Sequence, residues 1–278
     1  MGGLKLKNNL SLNRIRMKWT FKKAIILLST YYAHMLEYRA EIFLWALSGS
    51  LPIILMGVWI KASQSGNFGL SSVDFARYFF SVFLVRQFTT IWVIWEFERE
   101  VIEGKLSFHL LQPIDPVWHH VARHLAEKLT RIPFMILFCG LFFLLYPDSF
   151  WLPSFKNIFL CSLAIAMAFT LRFIIQYTFA IFAFWTERAS AIQQFWYLFY
   201  IFLSGMIAPL EVFPPAVRQI VDWTPFPYLM YFPAALLVGL PTNFVRSCMI
   251  ILGWGVIFFL ANRWLWRKGL KQYSGMGA

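Results

Sequence analysis

The chain alternates long apolar runs with short polar ones, and six of the runs predict helices that cross a membrane. Residues 42–60 carry no charge and end at Lys61. A crossing helix needs roughly 20 apolar residues, so this run predicts the first span, with a kink at Pro52. Residues 78–95 predict a second span with Arg86 near its centre. The third, 132–146, is short and starts as early as Leu125 if the preceding helical pattern is included. The fourth, 158–185, is long enough to tilt and holds Arg172 near its centre. A fifth covers 192–203 or beyond, and a sixth covers 245–261.

The polar segments between the runs differ in kind. Residues 64–69 predict a short outer turn, followed by a helix N-cap signal in Ser71-Ser72-Val73-Asp74. Pro147-Asp148 and Pro153-Ser154 predict a second outer turn, and residues 186–190 a tight inner one. Residues 96–131 form the largest inner loop, charged and helix-forming, with a break at Gln112-Pro113-Ile114-Asp115-Pro116. Its first part sets Val101, Ile102, Leu106, Phe108, Leu110 and Leu111 among charges, a pattern that marks a surface another protein grips rather than an empty solvated face.

The sharpest interruption lies between the fifth and sixth runs. Prolines at 209, 214, 215, 225, 227 and 233 forbid a continuous helix there. Residues 216–223 have the length of one short helix and 227–239 of another, and Trp223, Tyr228 and Tyr231 suit a membrane–water boundary. Two readings follow: a re-entrant helix pair that packs on other spans or roofs a cavity, or a proline-rich outer loop. Irregular backbone at membrane depth has to be satisfied by protein or water, which favours packing against the spans.

Composition then fixes the class. A chain of 278 residues that is 59% hydrophobic and only 14% charged has more apolar surface than one soluble core hides. It is expected to be an all-α integral membrane protein. Its 25 Lys and Arg against 13 Asp and Glu would suit nucleic acid, but the basic residues gather at span ends: up to Arg39, from Arg99 to Arg131, at Arg188, and from Arg263 to Lys271. That distribution sets orientation in a bilayer, and it predicts both termini in the cytoplasm of a multi-pass protein of the cytoplasmic membrane, with no nucleic-acid partner. Residues 1–41 are expected to form a basic tail and an amphipathic interfacial helix among acidic membrane lipids, with disorder up to about Leu12. No small-residue cleavage site follows the first apolar run, so no removable signal peptide is expected. Residues 42–278 are expected to be one six-span domain, with a coupling loop at 96–131 and a re-entrant segment at 208–241.

Candidate chemistry is sparse. Cys139, Cys161 and Cys248 lie in apolar runs without CxxC spacing and predict small buried side chains. His119, His120 and His124 with Glu127 have helical spacing, but without HExxH this is a weak metal signal, and no metal or catalytic residue is assigned. No GxxxxGK[ST], GxSxG or CxxC occurs, so the chain carries no nucleotide-binding loop of its own. The acidic residues fall at span ends or in loops, which argues against a self-powered proton-coupled carrier. A lone cation inside a span costs at least about 2.5 kcal/mol on insertion scales. Arg86 and Arg172 are therefore expected to be satisfied by carbonyls, Gln87, Gln176 or water, or else to meet an acidic substrate head.

Several stretches carry a resemblance: Glu103-Gly104-Lys105-Leu106-Ser107, Leu110-Leu111-Gln112-Pro113-Ile114-Asp115-Pro116, Leu203-Ser204-Gly205, Pro209-Leu210, Phe213-Pro214 and Trp223-Thr224-Pro225-Phe226. In this order, with a basic interfacial helix before six spans, they resemble the permeases of type-2 ABC exporters, specifically a prokaryotic subfamily of about this length, from about Met17 to Lys271. The resemblance implies a transport subunit, itself no enzyme and without a cofactor, that works with an ATPase subunit binding ATP and Mg2+ and with a second permease, as a homodimer or paired homologue. It implies a coupling helix docking on that ATPase through Glu98, Glu100, Ile102, Gly104, Lys105, Leu106 and Phe108. It also implies an outer gate at Pro209, Phe213, Pro214, Trp223 and Pro225; Arg86 and Arg172, by their charge inside the spans, are the separate candidates for the substrate path. Lipid, drug-like and glycan substrates all fit. A secondary transporter or channel, and a membrane-embedded lipid-modifying enzyme, are the alternative classes.

Overall fold

The computed structural model describes residues 22–64, 66 and 69–276. The basic tail up to residue 21, and Ser65, Asn67 and Phe68 of the outer turn, lie outside the described residues. Every regular element among the described residues is a helix. Five stretches are long and apolar enough to cross a membrane: Arg39–Ser63, Ser72–Ile102, Val117–Leu145, Phe155–Phe184 and Phe244–Tyr273.

The chain enters on α1 (22–37), which turns at Tyr38 into α2 (Arg39–Ser48). After Gly49-Ser50 the same stretch resumes as α3 (Leu51–Ser63). Pro52 sits in the first turn of α3, where its missing N–H costs no hydrogen bond, so the expected kink is a helix restart two residues earlier. The second stretch is also broken. α4 (Ser72–Thr89) begins on the expected cap, with Ser71 and Asp74 forming a reciprocal capping box. It stops at Thr90, and α5 (Val93–Ile102) starts after Trp92. Arg86, expected near mid-span, is thus in the last turn of α4.

The expected inner loop is mostly helix. α5 turns into α6 (Leu106–Leu110), the break falls at 111–116 as the prolines require, and α7 (Val117–Leu145) then runs for 29 residues through Pro133. The third span therefore starts well before Leu125. α8 (Phe155–Ala180) returns and tightens into a 3-10 turn at Ile181–Phe184. α9 (Ser190–Leu203) has 14 residues, about 21 Å of helix against the roughly 30 Å of a hydrocarbon layer. It does not reach across by itself, so the expected fifth span over 192–203 or beyond is helical only as far as Leu203. After the broken segment, α13 (Phe244–Met276) closes the chain.

The two ends of the bundle differ. One, called here the cap, gathers the start of α4, the turn at 146–154 and the 204–243 segment, and Arg77 donates there to the carbonyls of Ser149 and Phe150. The other, the base, gathers α1, the α5–α6 corner, the start of α7 and the end of α13. α4 is the central element: 72% of the apolar window in Ser72–Ile102 is buried, against 11% in Phe244–Tyr273. Phe75, Tyr78, Phe79, Phe80 and Val82 fill its surroundings, and Phe80 stacks on Phe142 with ring centroids 3.9 Å apart. A second cluster at the base joins Phe97, Val101, Leu106, Phe184 and Trp266.

The proline-broken segment folds into the cap. It holds α10 (Pro215–Val221), α11 (Phe226–Leu229) and α12 (Tyr231–Val238), so the expected second helix is two, split at Met230. The split has a cause: the Tyr231 N–H donates to the Ser204 carbonyl at 2.9 Å instead of continuing α11. α12 packs on α4 and α8 and buries Tyr231, Phe232, Ala234 and Ala235. Gly205 has φ +85°, and a Cβ there would lie 2.6 Å from the Tyr78 hydroxyl and 2.7 Å from the Tyr231 Cβ, so only glycine fits. Side chains of the spans satisfy the irregular carbonyls, with Tyr78 donating to Gly205 at 2.7 Å and Trp59 to Ile207 at 2.7 Å.

Candidate functional site: the base corner and the arginine cavity

α5 reverses into α6 through Glu103-Gly104-Lys105, with Gly104 at φ +69° supplying the left-handed turn. The Glu103–Lys105 ion pair and a bond from the Ser107 hydroxyl to the Gly104 carbonyl close this corner. The residues expected to dock divide in two. Ile102 is 57% exposed and Phe108 68% exposed, with Gly104 and Lys105 also at the surface. Leu111, outside that expected set, is 85% exposed. Leu106, by contrast, is fully buried in the base cluster. Glu98 faces inward, accepting from the Ser190 N–H at 2.6 Å and its hydroxyl at 3.0 Å, so its carboxylate caps the start of α9. Glu100 points to His120 at 3.4 Å and His109 at 3.6 Å.

The histidines knit the base together. His120 lies between Glu96 at 3.5 Å and Glu100, and His119 stacks on His109 while meeting the Tyr31 hydroxyl at 3.1 Å. His124 Nε2 accepts the Trp92 N–H at 3.2 Å, satisfying a donor freed by the α4–α5 break. Among the described residues, no three His, Cys, Asp or Glu side chains group as metal ligands.

Arg86 and Arg172 meet in one cavity of about 240 Å³ beside the α4–α5 break, lined also by Trp92, Trp95, Gln176, Gln193, Gln194 and Tyr197. Arg172 donates to the Tyr200 hydroxyl at 2.8 Å and lies 4.5 Å over that ring. Arg86 makes a long 3.4 Å bond to the Gly49 carbonyl. Neither forms an ion pair among the described residues. Gln87, expected as a partner for these arginines, turns away and accepts from Arg131 at 2.7 Å while donating to Ala46 at 3.1 Å. Gln176 does share the cavity, yet its carboxamide oxygen, like that of Gln193, is buried without a partner. Sequence reading missed Gln193, Gln194 and Tyr197. The available signal was the four-residue spacing of Arg172 with Gln176 and of Gln193 with Tyr197, which sets each pair on one helix face.

A larger groove of about 690 Å³ runs between α1, α2, α5 and α7 and shares Trp92 and Trp95 with the arginine cavity. At the cap, Pro209 and Pro225 are buried, Phe213 is half-buried, and Pro214 and Trp223 are exposed. The Trp254 N–H donates to the Trp223 carbonyl at 3.0 Å, tying the turn after α10 to α13.

No curated protein matches this sequence. The model of the family described as ABC-2 family transporter protein matches residues 51–277, which takes in every element from α3 to α13. The chain belongs to that family: it is a multi-pass integral membrane protein and a transport component of an ABC system, of the kind that works with an ATPase subunit.

Proposed function

We propose that this chain is the permease of an ATP-driven exporter that moves a hydrophobic or amphipathic substrate, lipid, drug-like or glycan, across the cytoplasmic membrane. A separate nucleotide-binding subunit carries ATP and Mg2+, and a second permease, identical or homologous, completes the path. The carrying observation is the base corner. Ile102, Phe108 and Leu111 stand exposed on a corner whose other face, Phe97, Val101 and Leu106, is locked in the core. Exposed apolar side chains at a charged tip fit a partner groove. α5 leads from this corner to the break at 90–92 and the arginine cavity, so a push on the corner has a short, packed path to the cavity wall.

In this reading α9 and the irregular 204–210 stretch together make a sixth crossing, and α1 lies along the inner interface. α10 to α12 dip in from the outer side as a re-entrant gate, and both termini are cytoplasmic, in keeping with the basic character of the base. Of the expected docking set, Ile102, Gly104, Lys105 and Phe108 make the contact, joined by Leu111, while Glu98, Glu100 and Leu106 hold the corner in shape.

Replacing Phe108 and Leu111 together by Asp is expected to leave yield and thermal stability of the isolated chain unchanged but to abolish copurification with its ATPase. A desolvated charge in such a contact costs several kcal/mol. Normal copurification and transport by that variant would remove the corner as the docking element. Orientation has its own test: single cysteines at Val217 and Gln219, in a chain lacking Cys139, Cys161 and Cys248, are expected to react with an impermeant thiol reagent from outside the cell. Both positions are exposed. Labelling only after the cytoplasmic face is opened would invert the topology.

A further inference from the structure

We infer that the cavity between α4, α8 and α9 binds the head of an anionic amphiphile, a phosphate ester that carries hydroxyl groups, with Arg86 and Arg172 on the phosphate and Gln176 and Gln193 on the hydroxyls. The inference rests on the permease reading only for its consequence, transport; the binding itself belongs to this chain alone.

Among the described residues, the cavity lining holds two guanidinium groups and no carboxylate. Arg172 is only 8% exposed, and a cation taken out of water without a counter-charge is costly. Its hydroxyl partner Tyr200 engages one of five donors, and Arg86 spends one on a long bond to Gly49. The remaining donors of two converging guanidinium planes match phosphate oxygens, which arginine binds through paired hydrogen bonds. The buried, unpartnered carboxamide oxygens of Gln176 and Gln193 are acceptors that a hydroxyl-bearing head would satisfy. Ile91, Trp92 and Trp95 supply the apolar wall along which a chain attached to that head would leave.

Depth agrees with a lipid-like ligand. From Ser72 to Arg86 the helix descends about 21 Å, which brings Arg86 toward the base side of a roughly 30 Å layer. Trp92 and Trp95 sit at that level, where tryptophan is favoured beside lipid heads. The same two side chains border the wider groove behind α1 and α2, so the cavity has a neighbour through which an amphiphile can approach from the side.

The full chain in detergent, given equimolar dioleoyl phosphatidylglycerol and dioleoyl phosphatidylcholine and read by native mass spectrometry, is expected to retain the anionic lipid at least about tenfold over the zwitterionic one, the value of one lost charge-assisted bond. Arg86→Gln with Arg172→Gln is expected to erase that preference. Gln194→Glu, at an exposed position on the rim, places a negative charge beside the arginines without disturbing the core and is expected to erase it as well. Lys268→Gln on α13, whose ammonium lies over Trp264, is the control and should leave it intact. Added glycerol 3-phosphate separates the sources: displacement of the lipid assigns the cavity to a soluble phosphate ester, and no displacement assigns it to the lipid. Equal retention of the two lipids by the parent chain, or an undiminished preference in Gln194→Glu, overturns the proposal. Failure of the Phe108 and Leu111 variant to lose its ATPase would leave this result standing, so the two readings fail separately.

Discussion

Lys128 and Arg131 on α7 share a carboxylate, whereas the buried Arg172 and the half-buried Arg86 have none among the described residues. Glu127 pairs with Arg131 and lies 3.5 Å from Lys128, and Gln87 takes a further guanidinium proton at 2.7 Å. Those two cations thus have one carboxylate of the fold beside them. The cavity arginines lean on a phenol and a carbonyl instead. A charge that serves only to hold helices together is expected to bring its counter-charge with it, because leaving it bare costs several kcal/mol. This contrast is what the proposed ligand site at Arg86 and Arg172 rests on.

The largest effect that tests this contrast is at Glu127. Glu127→Ala leaves Lys128 and Arg131 buried without a carboxylate and is expected to destabilise the chain by about 3–5 kcal/mol, read as a lower thermal midpoint and lower yield in detergent. An unchanged midpoint would mean that water already serves these cations and would erase the distinction. Arg172→Gln is expected to cost less, within about 1 kcal/mol, because the lost bond and ring contact with Tyr200 are offset by relief of an uncompensated charge. Tyr200→Phe is expected to be the smallest, since it removes one hydroxyl and keeps the ring under the guanidinium. If Arg172→Gln destabilises as much as Glu127→Ala, the cavity arginine is a structural group and the contrast collapses.

The sequence marked Arg86 and Arg172 separately, as charges inside apolar runs, but their meeting was not legible. Contact across α4, α8 and α9 depends on how the helices are rotated against each other, and periodicity gives a face without naming its neighbour. Gln87 shows the limit clearly. As the next residue it looked like a ready partner for Arg86, yet consecutive helical residues point about 100° apart, and it serves Arg131 on the other side. The docking corner shows the same limit. Leu106 and Phe108 carry the same signal in the sequence, but the Gly104 turn sends one into the core and the other to the surface.

Other features were readable because they are local. The cap at Ser71 to Asp74, the breaks at residues 111–116 and the end of regular helix before Pro209 follow from residues within a few positions of each other. The break at 90–92 was not readable, since Thr90-Ile91-Trp92 contains no proline or glycine. There the side chain of His124, distant in sequence, takes up the freed Trp92 donor.

By itself the sequence determined that this is a helical membrane protein, where most of its crossings run, and that its own residues include no nucleotide-binding loop. Those properties depend on apolar length, charge placement and short motifs, which a single chain states in order. Only the tertiary structure decided which buried cations have a carboxylate beside them, which apolar residues of the base corner are exposed, and that the proline-broken segment is seated on α4 and α8 over Gly205. Each of these depends on distances between residues far apart in the chain, and helix packing fixes those distances while the order of residues does not.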